Sequence, residues 1–148
     1  MSHPGRALVP LVFILLAACG GSPNSSKTIA TAKDTASYSG IAADEVVHFT
    51  GTEPFWGGQV SGEVLTYTTP ENQEGDMVAV DRFAGRNGIS FSGELDAMPF
   101  VLAVTPGRCS DGMSDRSYPF TVTLQVKGKQ RDGCAWTDKQ PFAGPKQP

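Results

Sequence analysis

From Asp44 to Phe142 the chain reads as short extended runs broken by turn residues, and the clearest of these runs alternate apolar with polar positions. Successive side chains of a strand point to opposite faces, so this alternation predicts strands with one buried face. Tyr118-Pro119-Phe120-Thr121-Val122-Thr123-Leu124-Gln125-Val126 alternates over its whole length, and Ile89 to Leu95 does the same. Further strands are expected over Val46–Phe49, Gly57–Val60, Glu63–Thr68, Met77–Phe83, Phe100–Thr105 and Gln130–Trp136. Ser61-Gly62 fits a tight hairpin, and Lys127-Gly128-Lys129 turns the chain between its last two strands. Arg86-Asn87-Gly88 is a further turn, with Asn-Gly suited to positive φ. The spacing, about 8–12 residues from strand to strand, predicts an all-β domain over 44–142. Its expected form is a small antiparallel meander barrel or sandwich of seven or eight strands. The expected core is Val47, Phe49, Val60, Leu65, Val78, Val80, Ile89, Phe91, Phe100, Leu102, Val104, Phe120, Val122, Leu124 and Val126.

The N-terminal end has a different pattern. Ala7 to Ala18 is a 12-residue apolar stretch behind Arg6. A helix needs about 20 apolar residues to cross the hydrocarbon core, so this stretch suits a secretory leader rather than a stable span. It ends in Leu16-Ala17-Ala18-Cys19-Gly20. That run resembles the lipobox of bacterial lipoproteins: an aliphatic residue, two small residues and a cysteine. The resemblance implies a signal peptide over 1–18, cleavage before Cys19 and lipidation of the Cys19 thiol. Acyl burial contributes about 0.8 kcal/mol per CH₂, and two or three chains give a durable membrane anchor. The absence of Asp at Gly20 resembles the outer-membrane sorting pattern of enterobacterial lipoproteins.

Residues 20–43 are rich in Ser, Thr, Ala and Gly and poor in large apolar side chains. They read, with Cys19, as a tether with a reach of roughly 25–30 Å. Tyr38 and Ile41 are its exceptions and are expected to dock on the domain edge. The tail, 143–148, is expected to fray.

Length and charge narrow the function. At 148 residues the chain holds one domain, and 17 Gly with 11 Pro agree with a turn-rich β body. Net charge is −3, and removing Arg6 with the leader leaves 11 basic against 15 acidic residues. No basic stripe offers a nucleic acid its counter-charge. With Cys19 acylated, Cys109 and Cys134 remain as an even pair in an oxidising compartment, and a disulfide is expected. The alternative is two free thiols in redox or metal chemistry.

Two segments carry the unusual residues. In Gly51-Thr52-Glu53-Pro54-Phe55-Trp56-Gly57-Gly58, two adjacent aromatics sit among Pro and Gly. It reads as a barrel corner, with Trp56 plugging the core and Glu53 taking backbone N–H groups. The other reading is a binding surface built on Glu53, Phe55 and Trp56. In Cys109-Ser110-Asp111-Gly112-Met113-Ser114-Asp115-Arg116-Ser117-Tyr118, the Asp and Ser side chains predict local hydrogen-bonded turns. Arg116 is expected to pair with Asp111, Asp115 or Glu53. Asp111 and Asp115 also raise a calcium reading, without the further acidic ligands of an EF-hand. As a binding surface the segment would present Asp111, Met113, Asp115, Arg116 and Tyr118.

Together with Gly133-Cys134-Ala135, these two segments resemble a family of uncharacterised bacterial envelope lipoproteins, over about Phe49 to Trp136. The resemblance implies a periplasm-facing, membrane-attached domain and carries no activity with it. A looser likeness joins the chain to the small β-barrel inhibitors of c-type lysozyme. Their Ser-Gly-x-x-Tyr inhibitory run has no clean counterpart here; Ser114 to Tyr118 keeps only a polar run ending in Tyr.

An enzyme is not expected. His48 is the one histidine after the leader and sits in a strand, no G-x-S-x-G run exists, and no zinc ligand set is evident. Neither cofactor nor metal is called for. The expectation is a lipid-anchored, non-enzymatic binding or structural domain whose candidate partners are peptidoglycan or an envelope protein. Inhibition of lysozyme or another envelope hydrolase is the alternative.

Overall fold

The computed structural model describes residues 36–146. The leader, Cys19 and most of the expected tether lie outside the described residues, as do Gln147 and Pro148. Eight strands follow in chain order: β1 (Val47–Gly51), β2 (Trp56–Ser61), β3 (Val64–Thr68), β4 (Asp76–Ala84), β5 (Ile89–Leu95), β6 (Met98–Cys109), β7 (Tyr118–Val126) and β8 (Lys129–Thr137). Each pairs antiparallel with the next, and β8 returns to pair with β1, so the sheet closes into a barrel. Closure leaves no strand edge without a neighbour.

Three tight turns set the register. Gly62 alone takes positive φ, 60°, between Ser61 and Val64, as a type II′ hairpin requires. Asp96 and Ala97 (φ 54° and 59°) and Lys127 and Gly128 (φ 50° and 73°) close β5–β6 and β7–β8 in the type I′ manner. The Arg86-Asn87-Gly88 turn differs from expectation, because neither Asn87 nor Gly88 adopts positive φ. Glycine is needed there for proximity: a Cβ on Gly88 would lie 2.2 Å from the Val104 carbonyl oxygen on β6.

All fifteen residues expected in the core are buried. Phe49, Phe100, Phe120, Leu65, Leu102 and Leu124 fill the lumen almost without exposure. Ile41, Trp56, Tyr67, Leu95, Tyr118, Cys134 and Ala135 are buried as well.

β6 runs past Thr105 to Cys109, through a bulge in which the register with β7 shifts between Pro106 and Cys109. A bulge bends its strand and re-aims the side chains beyond it. Here Cys109 reaches β8 and forms a disulfide with Cys134, with Cα atoms 5.6 Å apart.

The folded body starts before Asp44. Ile41 is buried in the core, and the Arg82 guanidinium donates to its carbonyl oxygen at 2.8 Å. Tyr38 N donates to Gly85 O at 2.6 Å, and Gln140 Nε2 donates to Gly40 O at 2.7 Å. Glu45 accepts from Ala42 N at 3.0 Å, which holds its carboxyl below the usual range, and Lys139 stands 3.5 Å away. Burying one isoleucine contributes about 1.5–3 kcal/mol, so this strap is part of the fold. The tail is docked too. Ala143 and Ser117 exchange both backbone hydrogen bonds at 2.9 Å, where fraying had been expected.

Candidate functional site

The β1–β2 corner divides its two aromatics. Trp56 is only 4% exposed, and its indole packs against Phe49 with ring centroids 5.9 Å apart. Glycines make room for it: a Cβ on Gly51 would fall 2.2 Å from the indole Nε1, and one on Gly133 would fall 3.0 Å from Cζ2. Phe55, its neighbour in sequence, is 57% exposed. Glu53 has φ 65°, precedes a cis peptide bond to Pro54 and is exposed. Its carboxylate accepts no backbone N–H among the described residues, contrary to the role expected of it.

The β6–β7 loop is organised by one carboxylate. Asp111 accepts from Met113 N at 3.0 Å, Ser114 N at 2.8 Å, Ser114 Oγ at 2.7 Å and Tyr118 Oη at 3.1 Å. Partial burial opposes the charge, but these donors together outweigh it and lower the carboxyl pKa to about 2. Burial pushes the Tyr118 phenol upward. Met113 and Asp115 project to solvent.

Arg116 forms none of the expected ion pairs among the described residues. Its guanidinium donates to the carbonyl oxygens of Pro145, at 2.8 Å, and Lys146. It also lies over the Phe142 ring, 4.7 Å from the centroid. Arg116 therefore fastens the tail to the loop. Thr52 Oγ1 donates to Asp111 O at 3.3 Å, which joins the two conspicuous segments.

A group of aromatics escaped the sequence reading. The Trp136 ring lies 5.3 Å from His48, 5.5 Å from Tyr118 and 5.5 Å from Phe142. His48 and Trp136 are cross-strand partners on β1 and β8, so the closing register brings them together. The sequence signal was present in their shared outward parity; the pairing of the first strand with the last was not.

Beside the corner lies a shallow groove of about 400 Å³, lined by Phe49, Thr50, Phe55, Trp56, Gly57, Gly58, Thr68, Thr69, Pro70 and Trp136. A second, of about 380 Å³, separates the two segments and includes Thr52, Asp111, Thr121 and Asp132. Among the described residues no three His, Cys, Asp or Glu side chains converge as metal ligands. Comparison with protein-family models, with curated proteins and with solved structures gives no match, so the functional reading rests on sequence and geometry.

Proposed function

We propose that the chain is a lipid-anchored protein of the bacterial envelope whose barrel acts without chemistry of its own, meeting a partner on its outer wall. The filled lumen carries this reading. Phe49, Phe100, Phe120 and the leucines beside them occupy the interior, so a ligand has to be met outside the barrel. The disulfide between Cys109 and Cys134 supports an oxidising compartment, and the Leu16-Ala17-Ala18-Cys19 run supports acylation. His48 is held on the outer wall, its ring stacked on Trp136 and its Nε2 3.3 Å from Asp138.

Inhibition of lysozyme is the weaker reading. The Ser114 and Tyr118 hydroxyls both engage Asp111, and Tyr118 is buried, so this run does not stand out to enter a cleft.

Metabolic labelling with an alkyne palmitate tests the anchor. The wild-type chain is expected to take the label and fractionate with membranes, and Cys19→Ser is expected to lose both. Wild-type protein that is unlabelled and recovered in the cytosol overturns the proposal.

A further inference from the structure

The groove beside the β1–β2 corner has a composition unlike the rest of the wall. Charged residues make up 18% of the chain, yet none of the groove's lining residues is ionisable. A charged ligand would lose hydration here without a counter-charge, whereas a neutral one is matched to the site. Four aromatic residues line it: the half-buried Trp136, the exposed Phe55, and Trp56 and Phe49, both buried. Their ring faces carry negative potential and attract weakly positive C–H groups. Gly57 lies between Thr50 on β1 and Thr68 on β3 and leaves a notch in the outer wall. The Thr50 and Thr68 hydroxyls have no side-chain hydrogen bond among the described residues, so both can donate and accept.

From these features, we infer that the groove binds one uncharged pyranose ring, the N-acetylglucosamine unit of a peptidoglycan strand. Such a ring presents C–H groups on its faces and hydroxyls at its rim, complementing aromatic walls and threonine hydroxyls. This inference rests on the proposed envelope location, which supplies that polymer, and on the outer wall as the binding surface.

The test is saturation-transfer NMR of the full-length protein in detergent micelles with chitotetraose at roughly millimolar concentration. Saturation is expected on the sugar ring and acetamide protons. Phe55→Ala is expected to weaken binding about tenfold, as one stacking face is lost. Gly57→Ser, whose new side chain enters the notch, is expected to weaken it further. Because a Cβ there would stand 3.0 Å from Phe49 O, the folding of that variant is checked by thermal unfolding. Phe83→Ala removes an aromatic on β4 that is still more exposed than Phe55 and does not line the groove, and it is expected to bind as wild type does. No transfer from the wild-type protein to the sugar overturns the inference, and so does equal binding by wild type and Phe55→Ala. Palmitate labelling on the same preparation separates the two ideas. Binding by an unlabelled protein supports the groove and overturns the anchor, whereas labelling without binding overturns the groove alone.

Discussion

Two loops drew attention in the sequence, and they use their conspicuous residues in opposite ways. The β6–β7 loop engages its central polar groups internally: Asp111 collects four hydrogen bonds and Arg116 holds the tail, while Asp115 stays in solvent. The β1–β2 corner buries Trp56 and leaves Phe55 in solvent beside an uncharged groove. Conspicuous residue types alone do not mark a binding surface. What separates the two loops is whether their functional groups are already engaged.

The sharpest test of that contrast lies within the corner. Trp56→Ala is expected to cost about 3–5 kcal/mol in urea unfolding, because Gly51 and Gly133 leave a slot that no other side chain fills. A loss below 1 kcal/mol would remove Trp56 from the structural side of the comparison. Cys109→Ala with Cys134→Ala comes next. The disulfide spans 25 residues, and its loss is expected to lower stability by about 3.5 kcal/mol on the chain-entropy argument. Full stability of the double variant would show that the bulged end of β6 is held by its ladder alone.

Asp111→Asn is expected to show a smaller, pH-dependent effect. The native carboxyl titrates near 2, below its unfolded value of 3.8, so its charge stabilises the fold above about pH 4. That contribution fades as pH falls from about 4 toward 2. Allowing for partial solvent screening, it is on the order of 1–2 kcal/mol. Wild type and Asp111→Asn should therefore converge in acid, and parallel stability curves would contradict the hydrogen-bond account. Smallest of all is Phe55→Ala, expected to change stability by less than about 0.5 kcal/mol, as for an exposed side chain without internal partners. A larger loss in thermal unfolding would place Phe55 in the corner's framework and blur its contrast with Trp56.

Local alternation made the strands legible, along with the fifteen expected core residues, because burial on one face of a strand leaves a period of two. Tyr67 shares the inward parity of Leu65 on β3 and is buried, although the expected core did not include it. The loop's turn chemistry was also readable, since Asp and Ser bond within a few residues. What stayed hidden depends on distance along the chain. Arg82 meets the Ile41 carbonyl 41 residues upstream, and Arg116 meets Pro145 after 29 residues. Those contacts follow from how the barrel closes and how its termini cross it. No local pattern records them, so a carboxylate was the natural guess for the partner of Arg116. The groove was hidden for the same reason, being assembled from β1, the β1–β2 corner, β2, the end of β3, the start of the β3–β4 loop and β8.

The strap at Tyr38–Glu45 has a mechanical consequence. A pull applied on the N-terminal side of Ala36 first loads the Tyr38–Gly85 and Gly40–Gln140 bonds and the seated Ile41 side chain. Force passing beyond them arrives at β1, which is laced to β2 on one flank and β8 on the other. Detaching it means rupturing two ladders together, so the barrel resists traction at the very end where a membrane anchor would exert it.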